Sequence, residues 1–319
     1  MLLPGILAQS RIDRARGHAY NPPMHLPAGV SLLGPGLDGL ARPLRPEALG
    51  AAHALWAADV AALGPWVEDD DGLHRAAGAP SGAPLCVCGP CTSALDVGWA
   101  LAGQGALPEW GAVLAVAQSA GRGQLRRAWH SAPGDLLAAW RWPAPPGPWA
   151  ALAPLLAGAV VCDELAARGL AVRVKWPNDL LVGGRKVGGI LVEERGGVVL
   201  VGLGLNLASA PQDHELRDDA VPRADFLTAH GEMKSIISLW RSLVERAENW
   251  YALKVSGGSP AQFLESFTLR LAWVGREVRV REAEGDFSAR LLGLAPDGGL
   301  VLERSGRRVT LHSGSVFLP

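Results

Sequence analysis

The sequence predicts an α+β fold: a mixed β-sheet with helices packed on it, followed by a small C-terminal β-barrel-like module. Three observations predict it. Between residues 85 and about 208, short apolar strands and Gly-Gly turns are interleaved with long apolar helical segments. From Ser235 to Leu253 the apolar positions Ile236, Leu239, Trp240, Leu243, Ala247 and Trp250 recur at helical spacing. The last stretch alternates apolar and polar residues in short runs separated by turns such as Pro296-Asp297-Gly298-Gly299.

In chain order, residues 1–84 form an N-terminal extension of undetermined role, punctuated at Pro22-Pro23, Gly34-Pro35-Gly36 and Pro65. One helix is expected there, from Pro46 to Leu63, with Pro46 in its first turn and Leu49, His53, Trp56 and Val60 at near-helical spacing. The acidic run Glu68 to Asp71 and the small residues Ala76 to Ala83 read as surface and linker. Residues 85–270 carry the denser pattern. Strands are expected over 85–88, 111–118, 135–142, 170–176 and 198–207, with a hairpin around Gly183-Gly184. Helices are expected over 93–102, 148–168, 235–253 and 260–268. Residues 271–319 form the β-module, with strands over 277–281, 285–293, 299–303 and 307–312.

Composition narrows the function classes. Lys plus Arg at 30 against Asp plus Glu at 31 leaves a net charge of −1, so no charge excess points to nucleic acid or an anionic membrane. The N-terminus lacks the basic segment of a signal peptide. The longest apolar run, Trp149 to Cys162, is shorter than the ~20 residues of a membrane span and contains Pro154. A cytoplasmic protein with no membrane or DNA partner is expected. Cys86, Cys88 and Cys91 supply three of the four ligands a structural zinc needs, with no local His to complete the set. Reduced thiols beside a strand are the plainer reading.

Three segments carry chemistry. In Gln118-Ser119-Ala120-Gly121-Arg122-Gly123-Gln124, followed by Arg126, Arg127 and Trp129, glycines around an Arg form a loop whose N–H groups can face an anion. The guanidinium forks suit carboxylate or phosphate, and the indole offers a stacking face. Lys175-Trp176-Pro177-Asn178-Asp179, with Arg185, Lys186 and Gly189 beyond the hairpin turn, crowds charge between apolar strands. A solvated hairpin explains Arg185 well but Asn178 and Asp179 poorly. Gly202-Leu203-Gly204-Leu205-Asn206 sets small residues and one Asn in a core strand, compatible with a bulge or close packing.

Taken together these segments resemble the biotin protein ligase family, over residues 91 to 208 and more weakly over the C-terminal module. The family pattern is Ser-Thr-Asn, then Gly-Arg-Gly with basic residues and a Trp, Lys-Trp-Pro-Asn-Asp, a Lys before Gly-Ile-Leu, and Gly-x-Gly-x-Asn. The resemblance implies a class II synthetase-like biotin/lipoate ligase fold with a C-terminal SH3-like β-barrel. It implies ATP-dependent, AMP-forming activation of biotin to biotinyl-5′-AMP, and transfer to a lysine of a biotin carboxyl carrier protein. Biotin, ATP and Mg2+ are the implied small molecules, with the metal accompanying ATP and no protein metal site. The resemblance also allows a homodimer.

By the same resemblance, Ser93, Gln118, Gly121, Arg122, Gly123, Gln124, Lys186 and Gly189 bind biotin. Arg127, Trp129, Lys175, Asn178 and Asn206 surround ATP or the adenylate. Arg122 and Lys186 neutralise charge in catalysis, and Asp179 orients or deprotonates the incoming lysine. Two departures stand out. Ser93-Ala94-Leu95-Asp96 replaces Ser-Thr-Asn with loss of two polar side chains, and Gln124 stands where the family often has Arg. Weaker biotin recognition is therefore expected. The rival readings are a lipoate or octanoyl ligase on the same fold, and a non-catalytic biotin-sensing protein. No basic recognition helix for DNA is evident in residues 1–84.

Overall fold

The structure, a computed structural model, describes residues 26–37, 39–70, 72–78, 82–124, 127–212, 223–282 and 285–319. The Met1-to-Leu7 segment, Pro22-Pro23, and Leu125 and Arg126 of the Gly-Arg-Gly loop lie outside the described residues. Ten strands make the main sheet: β1 (Val30–Leu32), β2 (Trp66–Glu68), β3 (His74–Ala76), β4 (Leu85–Cys88), β5 (Ala112–Ala115), β6 (Leu136–Trp142), β7 (Arg173–Lys175), β8 (Asp179–Val182), β9 (Arg185–Arg195) and β10 (Val198–Leu205). Their order is β2-β3-β1-β4-β5-β6-β10-β9-β8-β7. β4 runs parallel to β1 and β5, and the other neighbours are antiparallel, so the sheet is mixed as expected.

Because side chains alternate along a strand, the central strands feed two cores. Leu85, Val87, Leu114, Leu136 and Trp140 enter the larger one. It is covered by the helices α2 (Ala54–Leu63), α4 (Ala153–Ala167) and α5 (Ile236–Trp250). Cys86, Cys88, Val113, Leu137 and Ala139 point the other way, against α3 (Ala94–Gly103). Gly98 lets α3 approach closely: a Cβ there would lie 3.0 Å from that of Ala139. The cysteines are buried thiols, and burial pushes Cys86 up to about 12.

The described residues of the segment 26–84 are woven into this architecture. They supply β1–β3, which the alternation of so short a run did not reveal. The expected helix 46–63 is divided by His53 (φ −166°) into α1 (Pro46–Ala52) and α2; the His53 ring accepts the Leu55 N–H at 3.2 Å. Glu68 and Asp70 are exposed, as the surface reading expected, and Glu68 also ends β2, paired with His74 at the start of β3; Asp71 lies outside the described residues. Asp59 of α2, 2% exposed, accepts Ser235 Oγ–H and the N–H groups of Ile236 (3.0 Å) and Ile237 (3.2 Å). A side chain from the extension thus satisfies the orphan donors at the start of α5.

The helix expected over 148–168 begins as a 3-10 turn at Gly147 and continues through α4 to Ala167. This span is long and apolar enough to cross a membrane by composition, yet 67% of its most apolar window is buried inside the protein. Packing against α5 and β9 accounts for its character. The tryptophan-rich composition has a local counterpart: Trp110, Trp142 and Trp240 all meet Trp140, at centroid distances of 5.9, 5.2 and 4.9 Å.

Beyond α6 (Pro260–Phe267), β11 (Glu277–Glu282), β12 (Gly285–Leu294), β13 (Leu300–Arg304), β14 (Arg307–Leu311) and β15 (Ser315–Phe317) form an antiparallel sheet, ordered β14-β13-β12-β11-β15. This is the expected SH3-like module, with β15 added to the expected strands. Trp176 Nε1 donates to Gly298 O (2.9 Å) and ties it to the segment between β7 and β8 of the main sheet.

Candidate active site

The ladder register assembles the site. Lys175 of β7 pairs with Asp179 of β8, Asp179 with Gly189 of β9, Gly189 with Gly204 of β10, and Gly204 with Leu137 of β6. Directly opposed residues face the same side of a sheet, so this row crosses the α3 face from a charged end to an apolar one. It lines a cavity of about 740 Å³. The hairpin between β8 and β9 turns on Gly183 and Gly184 (φ 57° and 81°), a conformation glycine adopts without strain.

Glycines make the cavity floor. A Cβ at Gly204 would lie 2.6 Å from Trp129 Cε2 and Cζ2, and one at Gly189 3.2 Å from Trp129 Cζ3. The indole therefore lies on strand backbone, 5.4 Å from Lys186 Nζ. Its buried Nε1 finds no hydrogen-bond partner among the described residues.

At the charged end, Asp179 binds Lys175 Nζ at 2.8 Å and Lys186 Nζ at 2.5 Å. Burial alone would raise its pKa, but Lys186 and then Lys175 outweigh it and bring the carboxyl down to about 2. The trio carries a surplus positive charge facing the cavity. Asp179 is thus a weak base that holds Lys175 and Lys186 together. Asn178 Nδ2 donates to Ile190 O (2.6 Å), and Asn206 Nδ2 to Asp225 O (3.0 Å), so both amides brace strand ends at the cavity rim.

At the other end, Ser93 caps α3 by accepting the Asp96 N–H, and it also accepts Arg122 Nη1 at 3.0 Å. Arg122 reaches Asp96 Oδ1 at 2.7 Å and Glu193 Oε1 at 3.2 Å. Burial pushes the Asp96 carboxyl up, but its bonds to Arg122 and Ser93 prevail and hold it low. Gln118 accepts the Ala94 N–H (2.8 Å) and donates to Ser131 Oγ (3.0 Å). Gly123, Gln124 and Arg127 also line the cavity. Gly121 lies behind the wall, where a Cβ would meet Gln118 Nε2 at 2.9 Å.

Sequence reasoning missed five contributors. Glu193 was hidden at the end of an apolar run, though it shares strand parity with Gly189 and Leu191. Asp135 accepts the Leu207, Ala208 and Ser209 N–H groups (2.9, 3.1 and 3.3 Å), fixing the chain just beyond Asn206. Burial raises its pKa against those bonds. Arg281, Ser315 and Phe317 of the SH3-like module close one side of the cavity. No local signal announced that long-range contact.

Fold and cavity define the architecture: a mixed-sheet domain with an open cavity and an SH3-like C-terminal module. Residues 95–207 match the model of the biotin/lipoate A/B protein ligase family, and residues 274–318 match that of the biotin protein ligase C-terminal domain. The bifunctional ligase/repressor BirA of Bacillus subtilis is 32% identical over 225 residues, covering 66% of this chain and 67% of its own. The biotin–[acetyl-CoA-carboxylase] ligase of Paracoccus denitrificans is 31% identical over 216 residues, covering 64% and 89%. In fold, the structure of Aquifex aeolicus biotin protein ligase in complex with biotin and ATP superposes with a TM-score of 0.62 at 21% identity, covering 73% of this chain and 97% of that one. The chain belongs to the biotin protein ligase family.

Proposed function

We propose that this protein activates biotin with ATP and transfers the biotinyl group to a lysine of a biotin carboxyl carrier protein. The observation that carries the reading is the single ladder row joining Lys175, Asp179, Gly189 and Gly204 beneath Trp129, with Arg122 on the opposite wall. The names of the Paracoccus and Mycobacterium tuberculosis relatives, both biotin–[acetyl-CoA-carboxylase] ligases, support the acceptor class.

In this reading the biotin carboxylate oxygen attacks the α-phosphorus of ATP, the bond from that phosphorus to the bridging oxygen breaks, and pyrophosphate leaves. Both reactants are anionic. The surplus charge of the Lys175–Asp179–Lys186 trio offsets their repulsion where the new bond forms. The apolar end of the row, with Leu137 and Leu191, takes the hydrocarbon chain. In the second step a neutral lysine amine of the carrier attacks the acyl carbon, the acyl–phosphate bond breaks, AMP leaves, and the proton released from the amine passes to solvent. Asp179 orients Lys186 and Lys175 and is too acidic to take that proton. Mg2+ would enter with the phosphates of ATP.

Residues 26–84 are built into the sheet and cap α5, which supports a structural part for this segment over a DNA-reading one. The reading is tested by biotin-dependent pyrophosphate release from ATP, with lipoate and octanoate as competing acids. Release driven by lipoate and not by biotin would replace it with the lipoate-ligase alternative.

A further inference from the structure

Arg122 enters the cavity wall as a wedge between two facing surfaces. On α3 and its cap, Ser93, Asp96 and Trp99 recur at intervals of three and share a face. On β9, Gly189, Leu191, Glu193 and Arg195 share the opposing face by strand alternation. Glu193 meets Arg122 side-on: Oε1 accepts from both Nε and Nη2 at 3.2 Å. Its second oxygen is held by Trp99 Nε1 at 2.7 Å and Arg195 Nη2 at 2.9 Å, and Arg195 stacks over Trp99 at 4.3 Å. Nη1 of Arg122 is meanwhile divided between Ser93 and Asp96.

We propose that Glu193 is a positioning residue of the acid-binding pocket, acting through Arg122. This inference rests on the proposed biotin-activating function. A guanidinium is planar with N–H groups in fixed directions, so a carboxylate on its Nε/Nη2 edge fixes the plane of the group. Glu193 sets that plane, and Asp96 with Ser93 sets its depth. The same contacts decide where charge is available. Arg122 and Arg195 are matched by Asp96 and Glu193, leaving this wall near neutrality, whereas the Lys175–Asp179–Lys186 trio keeps its surplus. The Arg122 wall therefore suits the uncharged head of the acid, and the carboxylate is directed to the lysine end.

A network that merely held β9 to α3 would affect stability and leave ligand binding alone, and this separates the two roles. Glu193→Ala removes the edge-on acceptor. Glu193→Gln retains an acceptor oxygen for Arg122 and removes the charge. Three readouts on the full chain decide the matter: the 15N-labelled arginine Nε–H resonance assigned by Arg122→Lys, the biotin Kd by calorimetry, and the biotin and ATP KM values with kcat. For Glu193→Ala we expect loss of the protected Arg122 Nε–H signal and a biotin Kd and KM raised by about tenfold or more, as for loss of a charge-assisted hydrogen bond. The ATP KM should change by less than about twofold and Glu193→Gln should recover most of the biotin affinity. An unchanged Nε–H signal or biotin affinity in a folded Glu193→Ala protein overturns the proposal, as does an equal loss for biotin and ATP. If the wild-type chain binds no biotin, the functional reading fails, and the Nε–H signal still reports whether Glu193 holds Arg122.

Discussion

Asp179 stands directly across the β-ladder from Gly189, and that opposition turns a sequence hairpin into a site. The glycine leaves the space above the strand to Trp129, while the carboxylate gathers Lys175 and Lys186 at its edge. Charge and open floor are adjacent because the ladder register makes them so. A slip of one residue would send Asp179 to the helix-covered core.

The glycine floor gives a sharp test. Gly204→Val places side-chain atoms where Trp129 now lies, against a contact already at 2.6 Å for a single Cβ. The indole must leave its seat, and biotin-dependent pyrophosphate release is expected to fall by about a hundredfold or more, by analogy with small misplacements at reacting centres. Steady-state kinetics alongside a thermal melt checks this; full activity in the variant would remove Trp129 from the account.

The Asp179 trio predicts a pH signature. Its folded pKa of about 2 lies below the unfolded carboxylate value, so its stabilisation is present above roughly pH 4 and is lost as pH falls through about 2. The difference corresponds to about 2 kcal/mol. Asp179→Asn should abolish this part of the acid dependence and destabilise the protein at neutral pH, where two ammonium groups would lose their shared counterion. Urea unfolding of both proteins between pH 2 and 7 measures it; parallel stability curves would contradict the pairing.

The extension should be indispensable. Removing residues 1–84 strips β1 from the parallel edge of β4 and the Asp59 carboxylate from the start of α5. Asp59→Ala alone is expected to cost about 2 kcal/mol, since buried donors lose their acceptor. A shortened chain that folds with unchanged Tm and activity would show these contacts to be incidental.

Leu95 carries the main departure from the family pattern. It lines the cavity, and a Cβ at Gly202 would lie 2.9 Å from its Cδ1. Restoring the polar pair with Ala94→Thr and Leu95→Asn is expected to lower the biotin KM. A KM unaffected by the double substitution would sink the idea that the apolar pair weakens recognition.

Much of this was legible in the sequence because strand parity and glycine spacing are local. Lys175, Asn178, Asp179, Lys186, Gly189 and Asn206 come from the consecutive strands β7 to β10 and the residues that flank them, and they line one cavity as the pattern suggested. What could not be read depends on contacts distant in sequence. Glu193 looks like the polar end of an apolar run until β9 is laid against α3, some 94 residues earlier for its bond to Trp99. β1–β3 are only three residues each, too short for alternation to separate them from loop. His53 reads as one more helical position, yet its ring competes for the Leu55 N–H and divides the helix.

The central claim is that one cavity activates biotin and delivers it to a carrier. The most direct measurement is the intact mass of a biotin carboxyl carrier domain after incubation with this protein, biotin and ATP-Mg, with parallel reactions lacking ATP or containing lipoate. The account predicts a gain of one biotinyl group on the carrier, dependent on ATP and abolished by Lys186→Ala. A carrier of unchanged mass, in the presence of tight biotin binding, would contradict it and leave a protein that binds biotin without transferring it.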